Sequence, residues 1–127
     1  MMMNRGFAAV AALIGIDTSA ATTAFDYIAI GTGTTTTVAT QITLTTQDQI
    51  ANAVGTRVQT TVLNDTLQLV KDAFAFTGPK AITEVGVYNG GTGGSTNCLL
   101  SRTVFGAVNV TADDTLKVTV KYRVKAG

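Results

Sequence analysis

The sequence predicts an all-β protein, an antiparallel, jelly-roll-like β-sandwich preceded by one short helix, and three observations predict it. Thr115 to Val124 alternates without a slip, with Leu116, Val118, Val120, Tyr122 and Val124 on one side of an extended chain and Thr115, Lys117, Thr119, Lys121 and Arg123 on the other. About seven or eight short β-branched or aromatic runs follow one another from Phe25 at the spacing usual for sandwiches. No second long helical run is present to make parallel crossovers. At 127 residues the chain has room for one domain, with residues 1–20 as an N-terminal helical segment and 25–127 as the sandwich.

Arg5, the apolar run Phe7 to Ile16 and the small residues up to Ala21 have the order of a secretory leader. The spacing supports a structural helix instead. Phe7, Val10, Ala11 and Ile14 recur every three or four residues and form one apolar stripe, Asn4 is placed to cap the start, and Gly15 to stop it. The run is too short to span a bilayer. Its stripe is therefore expected to dock on protein, either its own sandwich or a neighbouring subunit.

Phe25 to Ile30 reads as a buried strand closed by Gly31-Thr32-Gly33. That Gly-Thr-Gly lacks the third glycine, the following helix and the downstream acid of a dinucleotide fingerprint, so it is a turn. Thr34 to Thr37 suits an extended surface connection. Ile42 and Leu44 alternate with Thr43 and Thr45 as a strand would, whereas Thr46 to Ala53 is polar and reads as a loop with at most one helical turn. Gly55 to Leu63 is a strand, and Asn64-Asp65 a turn that folds the next strand back as its hairpin partner.

In that next strand the alternation slips: Leu67 and Leu69 have one parity, Phe74 and Phe76 the other. One extra residue near Val70 to Asp72 would put all four on one face, so a β-bulge is predicted there. Gly78-Pro79 closes the strand. Ile82 to Tyr88, the glycine-rich loop Gly90 to Asn97, Cys98 to Phe105, a short connection through Asp114 and the final strand complete the chain.

Chemistry is sparse. There is no histidine, which removes the usual general base and the commonest metal ligand. Cys98 is the only cysteine and reads as a small apolar side chain. Asp113-Asp114 reads as a turn, since a calcium site needs six or more oxygens and no other acid lies nearby in sequence. Glu84 faces Arg102 across the glycine loop, an expected cross-strand pair that sets register and, if exposed, contributes well under about 1 kcal/mol. Lys117, Lys121 and Arg123 form a basic stripe that either guards an edge strand or meets an acidic partner. No cofactor or metal is expected, and nine cations against eight acids offer no phosphate-binding face, so nucleic acid is not an expected partner. Only 13% of residues are charged, with a net charge of +1. Such a coat does little to oppose association and suits a protein packed beside copies of itself.

The runs F-D-Y-I-A-I-G-T-G-T, F-A-F-T-G-P-K-A-I-T-E-V-G-V-Y-N and L-L-S-R-T-V-F-G-A-V-N-V-T-A-D-D-T-L-K-V-T-V-K-Y resemble small virion structural proteins of tailed bacteriophages, of the head decoration (cement) or the tail-fibre and baseplate type. The resemblance runs from Phe25 onward. It implies a non-enzymatic protein present in many copies, with the major capsid protein or other virion proteins as partners, located on the capsid surface or alternatively the tail. Phe7, Val10 and Ile14 on the helix, and Lys117, Lys121 and Arg123 on the last strand, are the candidate contact residues. The competing expectations are a tail-fibre or baseplate module reading its receptor through the Gly90 to Asn97 loop, a glycan hydrolase using paired carboxylates, and a secreted adhesive domain with a cleaved leader.

Overall fold

Seven runs from Tyr27 onward pair as antiparallel strands among the described residues. The computed structural model describes residues 1–15, 24–61, 63 and 65–125. In chain order they form α1 (Asn4–Gly15), β1 (Tyr27–Gly31), β2 (Gln47–Asn52), β3 (Val54–Val58), β4 (Thr66–Ala75), β5 (Lys80–Tyr88), β6 (Leu99–Val110) and β7 (Thr115–Arg123). A four-stranded sheet runs β2-β1-β5-β6 and a three-stranded sheet β3-β4-β7. This is the expected antiparallel sandwich.

The core between the sheets contains Ile28, Ile30, Ile82 and Val87 from the first sheet and Leu69, Phe74 and Phe76 from β4 and its end. Leu116, Val118, Val120 and Tyr122 pack against it from β7, the face that alternation assigned to the core. Val124 departs from that pattern. It is 81% exposed, because β7 ends at Arg123.

The slip in β4 is a bulge. Lys71 lies opposite Val118 and Phe74 opposite Leu116, so Asp72 and Ala73 together face Lys117. The extra residue lies at the C-terminal edge of the predicted stretch and brings Leu69, Phe74 and Phe76 to one core.

Several boundaries move. Residues 32–46 contain no strand, and the polar stretch expected to be a loop is β2. Gln47 to Asn52 lacks apolar alternation because β2 is an edge strand whose side chains have polar work: Asp48 pairs with Lys80 at 2.7 Å and Gln49 donates to the Ala75 carbonyl at 2.9 Å. Likewise β6 continues to Val110, through the expected connection, and the chain turns only at Thr111–Asp114. Asp114 accepts from the Thr111 amide there at 2.7 Å, which is the turn chemistry expected of the aspartate pair.

β3 and β4 form the expected hairpin, but β3 ends at Val58 rather than Leu63, and the chain beyond it is held by Asp65 accepting from the Thr60 and Thr61 amides. Val62 and Asn64, assigned to that strand and turn, lie outside the described residues, as does the N-terminal stretch 16–23. No described helix is long and apolar enough to cross a membrane.

Candidate interaction surface

The central strands of the first sheet, β1 and β5, are buried on both faces over most of their length. Opposite the sandwich core, Met3, Ala29, Leu44, Tyr88 and Leu99 form a second apolar cluster. The 32–46 segment covers it, and the Leu44 amide donates to the Tyr88 hydroxyl at 3.0 Å. Within this layer lie Glu84 and Arg102, both with fully buried side chains, joined at 2.7 Å between Nε and Oε2. The exposed, weak pair expected from strand spacing is thus corrected: it is the polar centre of the covering layer.

Every polar atom of the pair is engaged. Glu84 Oε1 accepts from the Gly33 amide at 3.1 Å and the Thr46 amide at 2.8 Å, and Oε2 also accepts from the Thr45 amide at 3.1 Å. Arg102 donates to the Thr35 carbonyl at 2.9 Å and to the Thr37 and Thr45 hydroxyls at 3.1 and 3.0 Å. Burial pushes the Glu84 pKa up, but the Thr46 and Thr45 amides and the guanidinium outweigh it and the net shift is downward. A carboxylate so committed has no free face for acid–base work. The Thr-rich low-complexity stretch is therefore the partner of the buried ions rather than a loose connection.

The approach of this layer to β1 requires Gly31. A methyl there would overlap the Thr46 carbonyl oxygen and lie 2.5 Å from Glu84 Oε1. Because both atoms are pinned, Gly31→Ala is expected to cost about 1–3 kcal/mol by overpacking. A urea titration reads it, and an unchanged midpoint would show that the covering segment yields freely.

The Gly90–Asn97 loop is held rather than projecting freely. Asn97 Oδ1 accepts from the Thr92 and Gly93 amides at 3.1 and 2.8 Å, and Gln47 accepts from the Gly94 amide at 3.3 Å. Gly93 and Gly94 have φ of 65° and 53°, a conformation that side chains disfavour. Cys98 is half-buried beside the sandwich core, and burial pushes its thiol pKa up.

The outward-facing features gather at α1. Its first hydrogen bond runs from the Phe7 amide to the Met3 carbonyl at 3.0 Å, so Met3 rather than Asn4 occupies the cap position. Met3 is fully buried and anchors the helix start, while the Met3 amide donates to the Leu100 carbonyl of β6. The helix then docks through small residues: Gly6 is buried, where a methyl would lie 2.5 Å from the Leu100 carbonyl oxygen, and Ala9 packs on the sandwich core. The predicted stripe points elsewhere. Phe7 is 58% and Ile14 82% exposed.

Between α1 and the end of the three-stranded sheet lies a groove of about 740 Å³. Val10 and Leu13 form one wall, Phe25, Leu67 and Tyr122 line its apolar part, and Arg57, Lys121 and Arg123 add cations. It thus unites Val10 with Lys121 and Arg123, candidate residues more than a hundred positions apart. Phe7 and Ile14 lie outside its lining, and Lys117 lines a different apolar cleft, with Phe105, Val108 and Leu116. Arg123 lies 3.9 Å from Asp65, whose side chain is buried, and Lys117 the same distance from exposed Asp72, the latter a surface contact of little energetic weight. Sequence spacing carried no sign of Arg57, whose place depends on hairpin register; Leu13 was legible only as a member of the apolar helical run.

Tyr122 ties the layers together at this end, its hydroxyl paired with that of Ser101 across the sandwich. Burial pushes its pKa up to about 12. Comparison with family models, characterised proteins and solved structures returned no match.

Proposed function

We propose that this protein is a non-enzymatic structural component of a tailed-bacteriophage particle, a decoration protein that binds the major capsid protein on the assembled shell and stabilises it. The observation that carries the reading is the way α1 docks. It uses Gly6 and Ala9 inward and leaves Phe7 and Ile14 exposed, while Val10 and Leu13 of the same helix line a groove with Arg57, Asp65, Lys121 and Arg123. Apolar side chains held outward on an anchored helix are suited to a partner surface. The committed state of Glu84 and the low surface charge support the same reading, as does the resemblance of the strand segments to phage virion proteins. A protein that binds only the assembled lattice stabilises it by mass action.

Heating particles with and without the protein tests the role: a raised shell melting temperature is expected, and an unchanged one would sink it. Phe7→Ser/Ile14→Ser is expected to fold normally, since exposed substitutions usually change stability by less than about 0.5 kcal/mol. Its affinity for shells should fall at least about tenfold, given about 1.5–3 kcal/mol for each large apolar side chain fully buried at an interface. Undiminished shell binding would remove this stripe from the interface. The tail-fibre or baseplate alternative would require imaged label on tails instead of heads.

A further inference from the structure

Four strands end the two sheets, and three of them carry a device that discourages pairing with another chain. β7 has Lys117, Lys121 and Arg123 along its exposed side. β6 begins under Met1–Met3, which add to it as a short extra strand through the Met2–Ser101 bridge and the Arg102 amide to Met1 carbonyl bond. Its far half is bulged, with Ile82 opposite Val108 but Glu84 opposite Val104. β2 is bulged at Asp48, and its Asp48 and Gln49 side chains reach across to Lys80 and Ala75.

β3 differs. Its five residues keep an unbroken register with β4, from Val54 opposite Val70 to Val58 opposite Thr66. Val54 to Arg57 are exposed, Val54 at 68%, and Arg57 is the strand's only charge. Among the described residues no strand pairs with its outer side. A regular edge of this kind offers unpaired backbone donors and acceptors to a further strand.

We propose that β3 pairs antiparallel with β3 of a second copy about a two-fold axis at Thr56, fusing two three-stranded sheets into one. The strand is self-complementary in this register. Val54 faces Val58 of the second copy at both ends, threonine faces threonine at the centre, and Arg57 faces Gly55, so no like charges stand directly opposed. The low net charge adds little repulsion. A five-residue edge buries less than the roughly 1,200 Å² of standard interfaces, so the free dimer is weak and forms most completely where copies are concentrated on a surface. The inference deepens the many-copies part of the proposed function and rests on it. The heating experiment judges shell binding separately, so the two can fail independently.

Sedimentation of the full chain from about 10 µM to about 1 mM should show a dimer fraction that rises with concentration. A monomer throughout would overturn the pairing. Thr56→Lys, which sets two like charges face to face on the axis, should weaken association at least about tenfold with an unchanged circular dichroism spectrum. Val54→Lys is the second variant should the first fail to fold. Undiminished association in a folded variant would overturn the proposal. In a Cys98→Ser background, Thr56→Cys should oxidise to a covalent dimer, because directly opposed residues lie within disulfide reach. Thr119→Cys on β7 should remain monomeric under the same conditions; equal cross-linking at both positions would overturn the assignment to β3.

Discussion

Arg102→Met is expected to destabilise the fold by about 3–5 kcal/mol, because it strands the Glu84 carboxylate at zero exposure without its cation. That is a large share of the roughly 5–15 kcal/mol that holds a domain together. The loss should register in urea denaturation as a lower midpoint with an unchanged slope. Lys117→Met, which removes an exposed partner 3.9 Å from Asp72, should change stability by less than about 0.5 kcal/mol. Equal effects from the two variants would show that burial does not govern the Glu84–Arg102 pair.

Exchange of the two charges should fail as well. The amides of Gly33, Thr45 and Thr46 all donate toward position 84, so a guanidinium there would meet donors, while a carboxylate at 102 would meet the Thr35 carbonyl. A stable Glu84→Arg/Arg102→Glu variant would show that mutual attraction, and not this fixed set of backbone groups, holds the pair. Acidity supplies a further check. The folded Glu84 pKa lies below its ordinary value of 4.5, so its contribution is fully present above about pH 4.5 and is lost as pH falls through the folded value. The gap between wild type and Arg102→Met should therefore narrow in acid. A gap constant with pH would remove Glu84 ionisation from the account.

Phe74→Ala is the other large effect, expected at about 3–5 kcal/mol from lost burial plus the cavity left behind. Phe74 is 2% exposed and lies in the sandwich core only because the bulge at Asp72–Ala73 resets the parity of β4. A loss below about 1 kcal/mol would place the ring outside the core. Deleting Ala73 should cost less, since it removes the extra residue of the bulge while leaving Phe74 and Phe76 in phase with Leu69.

Local patterning accounts for much of this fold. The alternation from Thr115, the slipped parity of β4 and the three- and four-residue spacing after Asn4 each reflect one face of an element meeting apolar surroundings, and that constraint is written in neighbouring residues. It could not identify β2, since an edge strand whose side chains bridge to Lys80 and Ala75 has no apolar period to show. Nor could it tell which side of α1 docks. The large residues drew attention, whereas the contact with β6 is made by Gly6 and Ala9, whose value lies in how closely they let two backbones approach.

The antiparallel sandwich, the helix, the bulge and the aspartate turn are legible from residue order, because each depends on the period of a short run or on turn chemistry within a few residues. The burial of Glu84 and Arg102, and the meeting of Val10, Lys121 and Arg123 in one groove, arise from how the folded layers pack. Burial of an ion pair depends on what covers it. Here the cover is a threonine-rich segment as many as 67 positions away in the chain, whose amides, carbonyls and hydroxyls take the place of water.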